Sequence, residues 1–352
     1  MENFESLLKR IYKKYKDHKY HQYYKRTAFK YLNSIEQLKV PTNPKFTKLS
    51  DEYAQDVLGW KGYAPWLYLY SAVQGTFKEG WIPDNYFGHV VVPSIKGEYG
   101  KTANLKALSC RLFEPDFFPD IGYYINGCWF SKDYEILNEK MVKDYLFSKW
   151  EKIVFKVDDS YQGMGIYFFN KNTFNQNQIK KLGNGVFQHY IDQHSFFHEF
   201  MPNSVATLRL TSVIDNNGKA SVRAGHLKFG RTHDTHINST SRMRVPVNIA
   251  DGMLGNYGYL HDWKTVAKHP DTNIAFANKK IPNFNKSIST IEKLHSQLPI
   301  VLCIGWDLVI DKNNEVKIME WNGKHNDIKF SEAIYGPCFE DLGWEKLWKE
   351  KK

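Results

Sequence analysis

Residues 304–322 read IGWDLVIDKNNEVKIMEWN, two alternating apolar runs on either side of a short polar turn. This pattern predicts a β-hairpin, and Asn313 and Asn314 tolerate the positive φ angles of a two-residue turn. Counting outward from that turn places Asp307 directly opposite Glu320, with Cβ atoms about 4.5–5.5 Å apart. Asn322 lies two residues beyond Glu320 and projects from the same face.

Two carboxylates and an amide oxygen on one face form a hard-oxygen site of the kind that Mg²⁺ prefers. Like charges that face each other across a ladder are destabilising, and a bound cation would offset that repulsion. We therefore expect Asp307, Glu320 and Asn322 to be metal ligands; the alternative is an exposed strand face whose acids are merely solvated. The opposite face is apolar and is expected to pack in the core; it carries Trp306, Leu308, Ile310, Met319 and Trp321.

The composition is that of a water-soluble chain with enough apolar residues for a packed core. The chain has 352 residues, of which 42% are hydrophobic and 16% aromatic, and its mean hydropathy is −0.54. We find no apolar run that could span a membrane and no apolar signal-peptide core. Four cysteines show neither zinc spacing nor a disulfide framework, which favours a cytoplasmic location.

The formal net charge is +10 and the pI about 9.1, a balance compatible with an anionic substrate, a membrane surface or nucleic acid. We expect no nucleic-acid partner, because no known motif accompanies the charge. Lysines and tyrosines alternate near the N-terminus. They predict either a tyrosine-lined packing face or a basic amphipathic helix in peripheral contact with a membrane, at its inner face.

The periodicity predicts a mainly helical region over residues 1–80 and a mixed region after it. A short strand is predicted over 89–93, and a hairpin turns at Asn126-Gly127. Helices are predicted over 134–149, 173–182 and 285–298. Strands are predicted over 152–157, 166–169, 185–191, 207–215 and 220–229.

Residues 156–165, KVDDSYQGMG, join two of these strands. They form a glycine-bearing hairpin, because a P-loop would open a helix and end in Gly-Lys-Ser/Thr. Glycines let backbone amides approach phosphate oxygens, and Lys156 could neutralise one. An ordinary surface hairpin is the alternative.

Arg209 lies in an apolar strand between Leu208 and Leu210, where its side chain could bind an anion with two hydrogen bonds. An ion pair with an acid on a neighbouring strand is the alternative. Further cations follow and suit a polyphosphate and an acidic second substrate; they are His226, Lys228, Arg231, Arg242 and Arg244.

The order of these features resembles the ATP-grasp superfamily. The glycine-bearing hairpin (156–165) comes first, followed by a segment from Gln188 to Ile191 that would be an adenine hinge. The strand that carries Arg209 (the arginine strand) and the hairpin that carries Asp307 and Glu320 (the acidic hairpin) come after it. The segments 187–194 (FQHYIDQH), 203–211 (NSVATLRLT), 269–272 (HPDT) and 305–322 carry the resemblance. They are similar to the sugar-transfer-associated and teichuronopeptide-type ATP-grasp proteins of bacterial polysaccharide clusters. The similarity covers about residues 100–343.

The resemblance implies an α+β fold, the ATP-grasp fold of two subdomains gripping ATP, with a helical N-terminal extension. It implies four segments: a helical region (1–80), an N-terminal or central subdomain (81–150), a glycine-hairpin lid (151–190) and a C-terminal subdomain with the metal hairpin (191–352). ATP and Mg²⁺, or Mn²⁺ in its place, would be the cofactors.

The resemblance also implies roles for individual residues. Asp307, Glu320 and Asn322 would hold the metal, and Arg209 and Lys156 would be catalytic. The expected nucleotide-binding residues are Lys106, Lys156, Gly163, Gly165, Gln188, Tyr190 and Ile191. The expected substrate-facing residues are Lys228, Arg231, Arg244, Lys324 and His325.

The sequence departs from the family pattern at residues 239–242, where a glycine pair is expected, and in the loop 322–327. The implied activity is an ATP-dependent carboxylate–amine ligase that uses an acyl phosphate, with a sugar-linked or small carboxylate and an amine as partners. It would tailor a surface-polysaccharide precursor. The alternatives are a small-molecule kinase and a non-catalytic component of a polysaccharide assembly at the membrane.

Overall fold

The structure is a computed structural model that describes residues 4–38, 41–160, 164–232 and 242–351. The chain forms two compact units. Unit 1 comprises residues 1–94, 262–264 and 327–352, and unit 2 comprises residues 95–261 and 265–326. The four-segment division at residues 80, 150 and 190 stays a prediction.

The α-helices are, in chain order, α1 (Phe4–Glu36), α2 (Pro44–Asp56), α3 (Ala64–Gln74), α4 (Asp84–Tyr86), α5 (Val92–Ile95), α6 (Ser109–Leu112), α7 (Glu139–Leu146), α8 (Gln176–Leu182), α9 (Ser195–His198), α10 (Phe284–Ser296) and α11 (Lys329–Tyr335). Short 3₁₀ segments occupy Lys61–Tyr63, Tyr99–Asn104, Lys106–Leu108, Pro115–Phe117, Glu340–Leu342 and Trp344–Lys351, and Phe87–Val91 form a π-helical segment.

The strands are β1 (Asp120–Ile125), β2 (Cys128–Ser131), β3 (Ile136–Leu137), β4 (Lys152–Val157), β5 (Ile166–Asn170), β6 (Gly185–His189), β7 (Thr207–Ile214), β8 (Ala220–Phe229), β9 (Met243–Pro246), β10 (Gly258–Tyr259), β11 (Thr265–Val266), β12 (Cys303–Ile310) and β13 (Val316–Asn322).

Unit 1 is helical, as the sequence predicts for its N-terminal part. Asn43 begins α2 by accepting a hydrogen bond from the amide of Lys45 at 2.9 Å. Gly75 ends α3 with a left-handed φ of 71°.

Inside the unit, the Glu332 carboxylate is fully buried and accepts hydrogen bonds from the amides of Ile82 and Cys338. Burial raises the pKa of Glu332 to about 8. Among the described residues, no helix is long and apolar enough to cross a bilayer.

The strand predicted over residues 89–93 is wrong. These residues continue the π-helical segment into α5, and Val90 and Val91 are buried there. The β-branched run favours a strand by propensity, but burial of the same side chains in a helical layer overrides that preference. The helix predicted from residue 134 begins only at Glu139, because Ile136–Leu137 pair with β2 as a strand.

The first sheet of unit 2 has the described strand order β3-β2-β1-β6-β4-β5. Asn126 and Gly127 join β1 to β2 with φ angles of 51° and 83°, so the predicted hairpin is confirmed. On the covered face, Ile153, Phe155 and Phe187 pack against residues of α7 and α8.

The second sheet has the described strand order β11-β10-β9-β8-β7-β12-β13. Its apolar face packs against α10 through Ile291 and Leu294 and contributes Leu210, Leu227 and Trp306 to the main core. Alternation along each strand then sends the charged residues to the other face. The two sheets therefore present one packed face each and leave polar positions for a site.

Candidate functional site

The hairpin of β12 and β13 places Asp307 opposite Glu320, as predicted. The turn is not the predicted one. Asp311 pairs with Glu315 around three residues, and Asn314 has a left-handed φ of 64°. A one-residue bulge at Met319 then shifts the register back, since Leu308 pairs with Ile318 and Asp307 with Glu320. The extra turn residue and the bulge compensate each other.

The bulge corrects one core prediction. Trp306, Leu308, Ile310 and Trp321 are buried in the main core, and Ile318 joins them. Met319 is only half-buried and lines a cavity on the other face. The sequence placed Met319 in the core because strict alternation was assumed, and a bulge breaks that alternation.

One row of directly opposed residues crosses the polar face of the second sheet. Glu320 pairs with Asp307, Asp307 with Arg209, and Arg209 with His226. Directly opposed residues project from the same face of a sheet. A parallel row two residues away contains Lys228, which pairs with Thr207 on one side and Arg244 on the other.

Asp307 is held by two cations. Arg209 donates from Nε to Oδ1 and from Nη2 to Oδ2, both at 2.7 Å, and Lys228 donates from Nζ to Oδ1 at 2.7 Å. Burial alone would raise the pKa of Asp307, but the charges and hydrogen bonds of Arg209 and Lys228 outweigh it and hold the pKa far below its usual range. Arg209 thus makes the ion pair that the sequence left as its alternative role.

A cavity of about 180 Å³ lies between the two sheets of unit 2. Six of the residues predicted as nucleotide or metal ligands line it: Lys156, Gln188, Tyr190, Ile191, Asp307 and Glu320. The other lining residues were not predicted as site residues; they are Val154, Ile166, Phe168, His189, Val205, Thr207 and Met319.

The apolar wall of this cavity could have been inferred from strand alternation. Ile153 and Phe155 face the core, so Val154 and Lys156 must face the other way. The register of the hairpin pairs Val154 with Phe168 and Lys156 with Ile166. β4 is therefore apolar on both faces, with Lys156 on the face towards the cavity. This pattern in the sequence predicts the apolar wall.

Lys156 reaches across the cavity to the second sheet. Its Nζ donates to the carbonyl oxygen of Met319 at 3.0 Å, and that carbonyl belongs to the bulge. Burial lowers the pKa of Lys156, while the nearby charges of Glu320 and Asp120 act in the opposite direction. The bulge therefore supplies both a wall of the cavity and an acceptor for this lysine.

Gln188 is oriented by a buried carboxyl that the sequence did not reveal. Its Nε2 donates to Oδ1 of Asp120 at 2.8 Å, and Oδ2 of Asp120 accepts from Cys110 and Tyr123. Burial raises the pKa of Asp120, which the hydrogen bond from Gln188 opposes. This hydrogen bond fixes which end of the amide is the nitrogen, and Oε1 is the acceptor that Gln188 retains.

The end of β6 and the residues that follow it make ring contacts. His189 stacks on Trp150 with ring centroids 4.1 Å apart, and the Lys152 ammonium lies 3.9 Å from the centre of the Tyr190 ring. Ile191 is buried. The segment predicted as an adenine hinge is therefore anchored by packing contacts at the edge of the cavity.

The remaining predicted nucleotide residues lie at the hairpin between β4 and β5. The Lys106 amide donates to Asp158 at 2.8 Å, and its Nζ donates to Oγ of Ser160 at 3.4 Å. Gly165 has a φ of +78°, and a Cβ there would lie 2.7 Å from that of Ser160, so this position requires glycine. Gly163 lies outside the described residues.

The predicted substrate residues are placed differently. Lys228 does not line the cavity itself but donates a hydrogen bond to Asp307, which does. Arg244 is buried beside Lys228 on β9. Arg231 forms an ion pair with Asp271. Lys324 and His325 are half-buried in the loop after β13.

The donor set fits a divalent cation when phosphate oxygens complete it. Within the described residues, no cluster of three His, Cys, Asp or Glu side chains could hold a metal. Asn322 donates from Nδ2 to the carbonyl oxygen of Gly305 at 3.1 Å, so its Oδ1 is the atom that can face a cation. Asp307 accepts three hydrogen bonds, of about four that a carboxylate can accept. Mg²⁺ typically uses one or two carboxylates together with substrate phosphates.

The part of the chain that carries the acidic hairpin is similar to a known protein family. The family model described as sugar-transfer associated ATP-grasp matches residues 178–341. No curated protein matches the chain.

Solved structures of low similarity include N5-carboxyaminoimidazole ribonucleotide synthetase from Thermotoga maritima, with 9% identity, a TM-score of 0.36 and coverage of 66% of this chain and 48% of that one. The biotin carboxylase domain of a 2-oxoglutarate carboxylase from Hydrogenobacter thermophilus has 10% identity, a TM-score of 0.43 and coverage of 69% and 44%. The D-alanine–D-alanine ligase from Coxiella burnetii has 9% identity, a TM-score of 0.37 and coverage of 71% and 60%.

The aligned region spans about half the length of the first of these solved chains. The family match covers slightly less than half of this chain, and it contains the arginine strand and the acidic hairpin. Residues 178–341 are thus similar to the sugar-transfer associated ATP-grasp family, in a chain with an α+β fold and a helical N-terminal region.

Proposed function

We propose that this protein is an ATP-dependent carboxylate–amine ligase that attaches an amine to a carboxylate of a surface-polysaccharide or related precursor. One observation carries the proposal. Residues from three distant segments, namely Lys156, Gln188 to Ile191, and Asp307 with Glu320, line a single cavity. The family's description as sugar-transfer associated supports the class of precursor.

The cavity offers separate places for a base and for phosphates. Val154, Ile166 and Phe168 form an apolar wall from the first sheet, and Met319 and Val205 lie among the residues from the rest of the unit. Such a slot suits a flat aromatic base, while the polar atoms of the segment after β6 fix its orientation. Lys156, Asp307 and Glu320 line the same cavity. The lysine suits phosphate oxygens, and the two carboxylates suit a divalent cation bound to them.

The charges of the site favour a polyphosphate. Lys156, Arg209 and Lys228 are cations, and Asp307 and Glu320 are the carboxylates among them, so one positive charge is in excess. These groups are buried or half-buried and already oriented by hydrogen bonds. Preorganised charges in a site of low polarity stabilise developing negative charge more strongly than water does.

The proposed reaction has two steps. An oxygen of the substrate carboxylate forms a bond to the γ-phosphorus of ATP as the bond to the bridging oxygen breaks, and ADP leaves. The amine nitrogen then bonds to the acyl carbon, phosphate leaves with the C–O bonding pair, and the amine gives up a proton. Lys156 would bind and orient the phosphoryl oxygens, and Arg209 would hold the Asp307 carboxylate in position through its two hydrogen bonds. Mg²⁺, held by Glu320 and Asn322 with Asp307, would neutralise phosphate charge.

Thermal unfolding with Mg²⁺ alone and with Mg²⁺ and ATP tests nucleotide binding. ATP at about 100 times its dissociation constant stabilises the folded state by about 2.7 kcal/mol. We expect this stabilisation in the wild type and its loss in Glu320→Gln. Glu315→Gln is the matched control, because Glu315 lies on the same hairpin and pairs with Lys286 at the surface. No ATP effect in the wild type would refute the proposal.

Product analysis separates the alternatives. A ligase forms an acyl phosphate that hydroxylamine traps as a hydroxamate, with release of ADP. A kinase gives a stable phosphorylated product and no hydroxamate. A non-catalytic component gives neither product with any carboxylate and amine pair, even if ATP binds.

A further inference from the structure

The N-terminal part of α1 carries an apolar stripe that the protein leaves in solvent. Leu8 is 49% exposed, Ile11 54% and Tyr15 52%. They recur with Leu7 at helical spacing, so they lie along one side of the helix. Burial on α1 becomes complete only from Ala28 onward.

The stripe is not a continuation of the face by which α1 packs in its unit. At 3.6 residues per turn, each residue advances about 100° around the helix. The stripe of Leu7, Leu8, Ile11 and Tyr15 then points roughly 110° away from the face that buries Ala28, Leu32 and Ile35. The protein therefore does not use the stripe to hold α1 in place.

Cations border the stripe on both sides. Arg10 and Lys14 fall along one edge and Lys19 along the other. From residue 5 to residue 19 the helix carries six lysines and arginines against two acids, which are Glu5 and Asp17. These cationic side chains are exposed. An apolar stripe between rows of cations matches the design of helices that lie in a membrane interface.

We propose that residues 5–19 of α1 dock on an anionic membrane surface, with Leu8, Ile11 and Tyr15 inserted among the lipid headgroups and the cations bound to lipid phosphates. A second copy of the chain fits the charge less well, because two such helices would bring twelve cations together against four acids. Anionic lipid attracts each lysine or arginine near its surface, so charge and apolar burial act together.

Sedimentation of the full chain with vesicles tests this proposal. We expect binding to vesicles that contain phosphatidylglycerol, at least about tenfold weaker binding to pure phosphatidylcholine, and weakening as salt rises. Tyr15→Glu should reduce binding to anionic vesicles by about tenfold. Tyr23→Glu is the matched control: Tyr23 is 66% exposed on the same helix and lies off the stripe, so its change should have little effect.

Two results would overturn the proposal. One is equal binding, or none, to both kinds of vesicle. The other is concentration-dependent self-association of the wild type, abolished by Tyr15→Glu, which would assign the stripe to a second copy. Circular dichroism of both variants checks that the helix is intact. ATP-dependent thermal stabilisation should be unchanged in both, so this test is independent of the proposed ligase activity.

Discussion

Arg209 donates two parallel hydrogen bonds to Asp307, from Nε to Oδ1 and from Nη2 to Oδ2, each 2.7 Å long. Its remaining nitrogen, Nη1, donates to the carbonyl oxygen of Asn326 at 3.0 Å. This one side chain therefore joins β7, the acidic hairpin and the loop that follows it. Both side chains of the pair are nearly excluded from solvent. Two parallel, charge-assisted hydrogen bonds between an arginine and a carboxylate are among the strongest in proteins.

Replacing Arg209 should therefore destabilise the fold as well as the site. Breaking a buried pair leaves an uncompensated charge, and we expect Arg209→Met to lower the free energy of unfolding by about 3 kcal/mol. Arg209→Lys should lose less, because it keeps the charge but not the fork. Urea unfolding gives these values. Arg223→Met, at a more exposed arginine on β8, is the control; an equal loss there would contradict the account.

The bulge at Met319 can be removed without changing the pairing of Asp307 and Glu320. After deletion of Met319, the register set by Leu308 and Ile318 runs directly on to that pair. We expect a folded protein that has lost the acceptor for Lys156 and one wall of the cavity. Thermal unfolding should show no stabilisation by ATP. Met319→Leu keeps the bulge and should retain the stabilisation by ATP. If both variants lose that stabilisation, the bulge is not the feature on which nucleotide binding depends.

Lys96 gives the protein a measurable pH dependence. Its buried ammonium donates to the carbonyl oxygen of Lys324 at 2.6 Å and to Oδ1 of Asn326 at 2.7 Å. Burial lowers the pKa of Lys96 to about 8 from a usual 10.5. Between these values the unfolded chain binds more protons than the folded one, so this group adds stability as pH rises and loses it as pH falls through about 8.

Lys96→Met should remove that contribution. The difference in the free energy of unfolding, wild type minus variant, should grow between pH 8 and pH 10 by up to about 1.4 kcal/mol per pH unit. Urea unfolding at several pH values measures it. Lys101→Met, at an exposed lysine, should leave the profile of the wild type. If the difference in the free energy of unfolding between wild type and Lys96→Met does not change with pH, the pKa of Lys96 in the folded protein is not lowered.

Asp120 should control which base the cavity accepts. With Nε2 of Gln188 bound to Asp120, Oε1 can accept from an amino group such as that of adenine. Asp120→Asn allows the Gln188 amide to reverse, and we expect the preference for ATP over GTP to fall about tenfold. Titrations followed by thermal unfolding measure this ratio. Asp192→Asn, at an exposed acid paired with Lys312, should leave it unchanged.

Several elements could be predicted from sequence because their causes are local. Alternating apolar runs placed β4, β7, β8 and the acidic hairpin close to their observed bounds. Asn126-Gly127 fixed a hairpin turn through backbone angles that few other pairs adopt. The strand predicted over 89–93 was wrong because burial, not propensity, determines the conformation of that segment.

The sequence by itself determined that two alternating strands would form a hairpin that carries Asp307 and Glu320 on its polar face, since alternation is a local property, and that a basic, tyrosine-rich helix would form near the N-terminus. Only the tertiary structure decided that Asp307 is bound by Arg209 and Lys228, that Met319 leaves the core for the cavity, and that a buried carboxyl orients Gln188. These facts depend on contacts between strands far apart in the chain, and no local periodicity encodes them.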